Sequence, residues 1–357
     1  MLFSILLRGS VDEAENRKLR RKGGRFFMKK FVVFALFAVL LACAAAPAFA
    51  APAPKAGWPS QLKFMSGPPG GNWFALGNAF ADLWSREVLQ TTSSTGGGVS
   101  NIINADVKKG DFGFSVTSLL GAAIKGEQDF LGRPTKNSVV MANLYTQYTY
   151  FIMRKDFAKK HNINKLGDIF DKKIPVRMAT LKPGTASEFV VKSLFMKGYG
   201  ITYKDIKKVG GSVEFASYDG GADLLADNHL DMFAFSVGRV ASIVMNIESN
   251  TDIVILPVDD SALKALSDAY GTVTFTVEPG IYKSVKKPVK TVGDYTCVVV
   301  RKDLPDDLVY DLCNSLWKNK AALAKAVKDI DELDPKTAVP GGVPAHPGAV
   351  KFWKQAK

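Results

Sequence analysis

The chain has 357 residues, 47% of them hydrophobic and 23% charged, with three cysteines and three histidines. Its net charge is +13, but residues 1–50 hold nine Lys/Arg and three Asp/Glu, which leaves +7 over the remainder. That modest excess suits an anionic ligand or an acidic docking surface, whereas lysines scattered without a basic stripe argue against nucleic acid.

Residues 1–27 are polar and basic and read as a start-site extension, with translation beginning at Met28. Met28-Lys29-Lys30, the apolar run Phe31–Leu41 and the small-residue site Ala48-Phe49-Ala50 form a signal peptide over 28–50. The apolar run is shorter than the ~18–20 residues that span a bilayer. The expectation is therefore a periplasmic product, soluble after cleavage. Leu40-Leu41-Ala42-Cys43 resembles a lipobox, so a lipid anchor through Cys43 stays open as the alternative. Residues 51–57 are a Pro/Ala linker, and no later apolar run approaches spanning length. The 307 residues after Ala50 are enough for two lobes, each with its own core.

From there strands and helices alternate. A strand at 61–65 leads into the loop Ser66–Asn72, and Trp73, Leu76, Ala79, Phe80, Leu83 and Trp84 recur at helical spacing over 73–89. A strand at 90–94, a helix at 99–108, a strand at 112–116 and a helix at 118–124 follow. Strands at 139–144 and 149–153 flank Tyr145-Thr146-Gln147-Tyr148, read as a crossing between lobes. A helix near 164–170, a strand at 175–179, a helix at 187–197, a helix at 219–226 and a strand at 231–236 make a second unit. A helix at 239–248 and a strand at 252–256 close it. Beyond that the alternation weakens: 272–277 is extended, 295–301 is a strand, and 305–317 is an amphipathic helix with Pro305 suited to its first turn. The tail 341–348 is irregular. Strands alternating with helices mean crossover units and a largely parallel sheet, so the fold class is α/β.

In open α/β sheets ligands bind at the carboxyl ends of the strands, where helix N-termini present unpaired N–H groups. Four loops fall at that edge. Gly70-Gly71-Asn72 lets the backbone approach a ligand, and its glycine spacing fits neither a dinucleotide nor a Walker loop. Ser94-Thr95-Gly96-Gly97 offers hydroxyls and N–H groups to a carboxylate, and Thr117-Ser118 ends a strand and opens a helix. From the facing unit, Gly184-Thr185-Ala186-Ser187 supplies an anion nest, although the Ser187 side chain could simply cap its helix. Ser236 ends a strand beside it. Trp73 and Tyr145 stand where a cleft wall and crossing belong, with Phe74 and Phe80 assigned to the core. Tyr218 precedes a helix facing the proposed cleft. Of the nearby arginines Arg154, Arg177 and Arg239, the last is the best carboxylate partner, and an ion pair is its alternative role.

The segments GPPGGNWFALGNAFADLW (67–84), STGGGVSNIINADVKKGDFGFSVTS (94–118), LKPGTASEFVVKSLF (181–195) and VPAHPGAVKFW (343–353) together resemble the TAXI family, the extracytoplasmic solute receptors of TRAP transporters. The resemblance spans essentially all of 51–357. It implies a two-lobed, type II periplasmic-binding-protein-like fold with the ligand cleft between lobes. Lobe I would comprise 58–146 and 257–357, and lobe II 147–256. It also implies a small carboxylate or amino acid ligand, glutamate-like, and TRAP permease subunits as partners for a monomeric receptor. Asn228 replaces a common glycine in that pattern, and Thr117 a common glutamine.

Catalysis finds no support. His161, His229 and His346 are dispersed, Asp223, Asp227, His229 and Asp231 belong to a solvated turn, and no serine sits in a nucleophile elbow. No enzyme activity, cofactor or metal is expected. Cys297 and Cys313 are read as buried thiols or one disulfide. A ligand sensor feeding a two-component receptor is the alternative to transport.

Overall fold

The run Ser138–Arg154, dense in β-branched and aromatic residues, forms one strand (β4) of 17 residues with almost every side chain buried. At roughly 3.3 Å per residue such a strand is long enough to run through both halves of one sheet. In the computed structural model, which describes residues 52–341 and 343–356, it does so with a long antiparallel partner, β10 (Val289–Arg301). The leader, the Cys43 motif and the start-site extension lie outside the described residues.

On one side of this pair stand β1 (Leu62–Met65), β2 (Thr91–Ser94) and β3 (Phe112–Val116), mutually parallel, with β3 against the second half of β10. On the other stand β5 (Arg177–Leu181), β6 (Ser212–Ala216) and β7 (Met232–Gly238), again parallel, with β7 against the second half of β4. The sheet order is β2-β1-β3-β10-β4-β7-β5-β6, with β8 (Ile253–Ile255) on β4 and β9 (Val273–Val277) on β10. This is a two-lobed α/β fold whose lobes share β4 and β10. Two register shifts in the β4–β10 ladder, at Thr296/Cys297 and Val298/Val299, bend the shared pair.

The first lobe buries Phe64, Phe80, Trp84, Phe112 and Phe114 edge to face. The second has a separate cluster around Tyr148, Tyr150, Phe233, Phe235 and Tyr282. Phe80 is core as expected, whereas Phe74 is only partly buried. Cys297 and Cys313 are buried free thiols, and burial pushes both above the usual thiol range.

Several expectations are corrected, the first being the largely parallel sheet, since β4 and β10 pair antiparallel with every neighbouring strand. The crossing near Tyr145 does not break the chain into two strands, because Tyr145–Tyr148 stays extended inside β4. The chain also does not return to the first lobe near Leu256. The helix Asp260–Tyr270 packs against the helix Ala186–Tyr199, and Val277, Tyr282 and Val285 join the second lobe's cluster. The return is made by β10, whose early part was hidden by Thr291, Gly293 and Asp294 in an otherwise apolar pattern. Pro305 takes the N-cap position rather than the first turn of the helix Asp306–Lys318. The tail is less irregular than its composition: His346 caps the helix Pro347–Gln355 by accepting from Gly348 N–H at 3.2 Å. Among the described residues no helix is long and apolar enough to cross a membrane.

Candidate functional site

Asn101 fixes the first wall of the cleft. Its Nδ2 donates to the carbonyls of Met65 (3.0 Å), Ser66 (2.9 Å) and Phe114 (2.8 Å), and its Oδ1 accepts from Gly97 N–H at 3.1 Å. One side chain thus ties the ends of β1 and β3 to the loop 94–97. From the second lobe the loop 182–185 meets it directly. The Gly184 carbonyl accepts from Val99 N–H (3.1 Å) and Ser100 N–H (3.4 Å), the first turn of the helix Gly98–Asp106. A Cβ at Gly97 would lie 2.8 Å from that carbonyl, so glycine is needed for the approach. The N-terminus of this helix is therefore occupied by the facing lobe's backbone.

Between the lobes lie two adjoining pockets that share Pro68, Gly97, Leu181 and Thr185. The outer is a cavity of about 350 Å³ bordered by Thr95, Gly96, Ser100, Lys182 and Gly184. The inner is closed down to about 10 Å³, the size of a single water. It is lined by Gly71, Asn72, Trp73, Gln147, Ala186, Ser187, Tyr218, Ser236 and Gly238. No carboxylate, imidazole, thiol, lysine or arginine lines the inner pocket.

Two helices point their N-termini into this neutral space. The helix Asn72–Glu87 starts after Gly71 with no side-chain cap, and the Ala186 helix starts after Thr185. Thr185 Oγ1 accepts from Glu188 N–H at 3.2 Å and donates to the Lys182 carbonyl at 2.8 Å, so Thr185, not Ser187, is the cap. The N–H groups of Asn72, Trp73, Ala186 and Ser187 have no acceptor among the described residues. Four donors from two lobes thus converge on one pocket, where helix dipoles favour negative charge.

The expected hydroxyl ligands are mostly engaged. Ser187 Oγ donates to the Ser236 carbonyl (3.1 Å) and accepts from Ser236 N–H (3.0 Å), while Ser236 Oγ lies 2.8 Å from Thr149 Oγ1. Tyr218 OH donates to the same Ser236 carbonyl at 3.0 Å, and its ring fills the space a side chain at Gly71 would need. Burial holds the Tyr218 phenol up at about 12. Ser187 and Ser236 therefore present backbone, not hydroxyls, to the pocket.

Several sequence candidates lie elsewhere. Thr117 Oγ1 donates to Asn143 Oδ1 at 3.0 Å, and Ser118 hydrogen-bonds Asp294 through Oγ and N–H, so this helix start is closed by a protein carboxylate. Ser94 Oγ donates to the Phe64 carbonyl at 3.3 Å, and Gly70 holds a left-handed turn at φ +83° beside Asp219. Neither borders the two pockets. Tyr145 is buried at 2% exposure with its hydroxyl unpartnered, and it does not line the inner pocket. Arg239 is half exposed and lies 3.7 Å from Glu332, the ion-pair alternative. Arg154 and Arg177 pair with Asp156 and Asp231.

Sequence reasoning overlooked Asn101, Gln147, Thr296 and Asp329. Gln147 sat inside the crossing tetrad, and Asn101 follows Gly97 at the spacing of a loop-capping residue. Asp329 carried no signal: Asn72 Nδ2 and Val240 N–H donate to it at 3.1 and 3.4 Å, far away in sequence.

Two lobes share β4 and β10, and the two-lobed architecture agrees with the expectation. The chain belongs to the NMT1-like family, whose model matches residues 64–356. It is also similar to solved structures. The periplasmic binding protein BugD shows 13% identity and a TM-score of 0.49, over 84% of this chain and 94% of that one. MatC from Rhodopseudomonas palustris with bound malate shows 14% and 0.48, over 84% and 97%. PhnD1 from Prochlorococcus marinus in complex with methylphosphonate shows 16% and 0.49, over 83% and 95%.

Proposed function

We propose that the chain is a periplasmic solute-binding receptor that captures a small organic acid or amino acid, glutamate-like, and delivers it to TRAP permease subunits. The TAXI resemblance supplies the transport half of this reading. The ligand half is carried by one observation: the four unpartnered N–H donors of Asn72, Trp73, Ala186 and Ser187 meet in one pocket. A carboxylate accepts several such bonds at once, each charge-assisted and worth about 1.5–3 kcal/mol. The wider outer pocket, edged by Lys182, takes the rest of the molecule. The inner pocket as it stands admits only a water-sized body, so loading requires the lobes to part and reclose, a hinge motion about β4 and β10. The inner lining holds no acid–base pair or activated nucleophile, which favours binding without conversion.

The test is a thermal-shift screen of protein refolded from denaturant to strip carried-over ligand. The panel holds glutamate, glutamine, dicarboxylates, oxo acids and neutral amino acids. A shift for one acid class, with the compound recovered intact, is the expected result. A chemically altered compound would overturn the receptor reading, and silence across all acids would overturn the ligand reading.

A further inference from the structure

Gln147 is buried at 5% exposure, lines the inner pocket, and was assigned no role above. Its side-chain amide is engaged at one end by a buried hydrogen-bonded chain. Trp73 Nε1–H donates to Thr296 Oγ1 at 3.1 Å, and an indole nitrogen can only donate. Thr296 therefore receives that hydrogen on a lone pair and has its own hydroxyl hydrogen to place. The short contact from Thr296 Oγ1 to Gln147 Oε1 places it. An amide whose oxygen accepts that hydrogen presents its NH₂ at the other end. Gln147 Nε2 has no acceptor among the described residues, and Thr296 itself is fully buried, so water does not reorient the chain. Trp73, Thr296 and Gln147 thus form one hydrogen-bonded chain that ends on Gln147 Oε1.

We infer that Gln147 is a specificity-determining residue whose Nε2, oriented by Trp73 and Thr296, donates to a ligand oxygen, and that the site selects carboxylates lacking an ammonium group over the matching amino acids. The inference rests on the acid-binding reading above and narrows it. With Nε2 added, the groups left free in the inner pocket are predominantly donors: the four backbone N–H groups and this amide. An ammonium needs acceptors, preferably a carboxylate. The Ser236 carbonyl already accepts from Ser187 and Tyr218, and the buried carboxylate of Asp329 is held by Asn72 and Val240 behind Gly238. An oxo or second carboxylate oxygen in the same place meets a donor instead, and leaving buried donors unpaired is what rejects the wrong ligand.

The experiment is calorimetric titration of ligand-stripped protein with matched pairs: 2-oxoglutarate against glutamate, and pyruvate against alanine. Wild type should bind the better oxo acid at least about 10-fold more tightly than its amino partner. Gln147→Glu puts an acceptor where the donor was and should weaken the oxo acid by about 10- to 100-fold, closing the gap with the amino acid. Thr296→Val should give an intermediate loss by releasing the amide, and Thr296→Ser, which keeps the hydroxyl, should restore wild-type preference. That pair decides the matter if Gln147→Glu does not fold. Wild-type preference for glutamate or alanine would overturn the inference, as would unaltered oxo-acid affinity in Gln147→Glu. In both cases acid binding itself stands. Failure of every acid to bind wild type would remove the underlying reading, and this inference with it.

Discussion

Asn101 has no exposed surface and places all of its amide on backbone: three carbonyls at Met65, Ser66 and Phe114, and one N–H at Gly97. Asn101→Ala leaves these groups buried and unpaired, at about 1–3 kcal/mol for each that finds no water. Urea unfolding should show a loss of about 2–5 kcal/mol, and a wild-type midpoint would contradict the role. Thr185→Ala removes a helix cap and should cost about 1 kcal/mol while weakening acid binding. Full affinity in that variant would separate the cap from the site. At this scale the sequence was partly readable. Thr185 and the glycines stood out because caps and close approaches demand particular residue types. The engagement of Ser187, Ser236 and Ser118 did not, because a hydroxyl's partner lies in another strand: Ser236 pairs with Ser187 and Thr149, and Ser118 with Asp294.

The helix Thr117–Lys125 has no cap of its own, and Asp294 of β10 supplies the negative charge its N-terminus favours. The short 3₁₀ segment Lys328–Glu332 carries Asp329 between Asn72 and Val240. Burial pushes both carboxyls up to about 6. A carboxyl raised above its unfolded value of about 3.9 binds its proton more tightly when folded, so its contribution is full at low pH and lost as pH rises through 6. Relative to wild type, Asp329→Asn should therefore gain stability between pH 4 and 6 and level off above. The change should be on the order of 1–3 kcal/mol. A difference flat across that range would contradict it. Most elements were legible from apolar spacing. The helices Tyr203–Lys208 and Asp260–Tyr270 and the edge strand β6 were not, since the first is short and charged, the second follows the weakened alternation, and β6 exposes two of its five residues.

Across the molecule the lobes are held together by contacts outside the inner pocket. Lys192 of the Ala186 helix bonds Asp129 at 2.8 Å, Gln128 meets Tyr270, and Gly184 accepts from Val99. A ligand gains affinity from such contacts only through the closed arrangement they favour. Lys192→Ala should therefore weaken acid binding by about 2- to 5-fold although it touches no ligand, the scale of a partly exposed ion pair. An unchanged Kd would show that closure does not depend on it. Gly238→Ala would drive a Cβ into the Asp329 carboxylate and to 2.9 Å from Asn72 Nδ2, so those side chains must move to admit it. The two-lobed plan was what the family resemblance implied, whereas the return through β10 depends on pairing across the whole chain. The central claim is that both helix N-termini hold the ligand, and amide hydrogen exchange tests it most directly. With the panel acid that raises Tm most, the amides of Asn72 and Trp73 and those of Ala186 and Ser187 should all slow together. Protection of one pair alone, or of neither, would contradict the account.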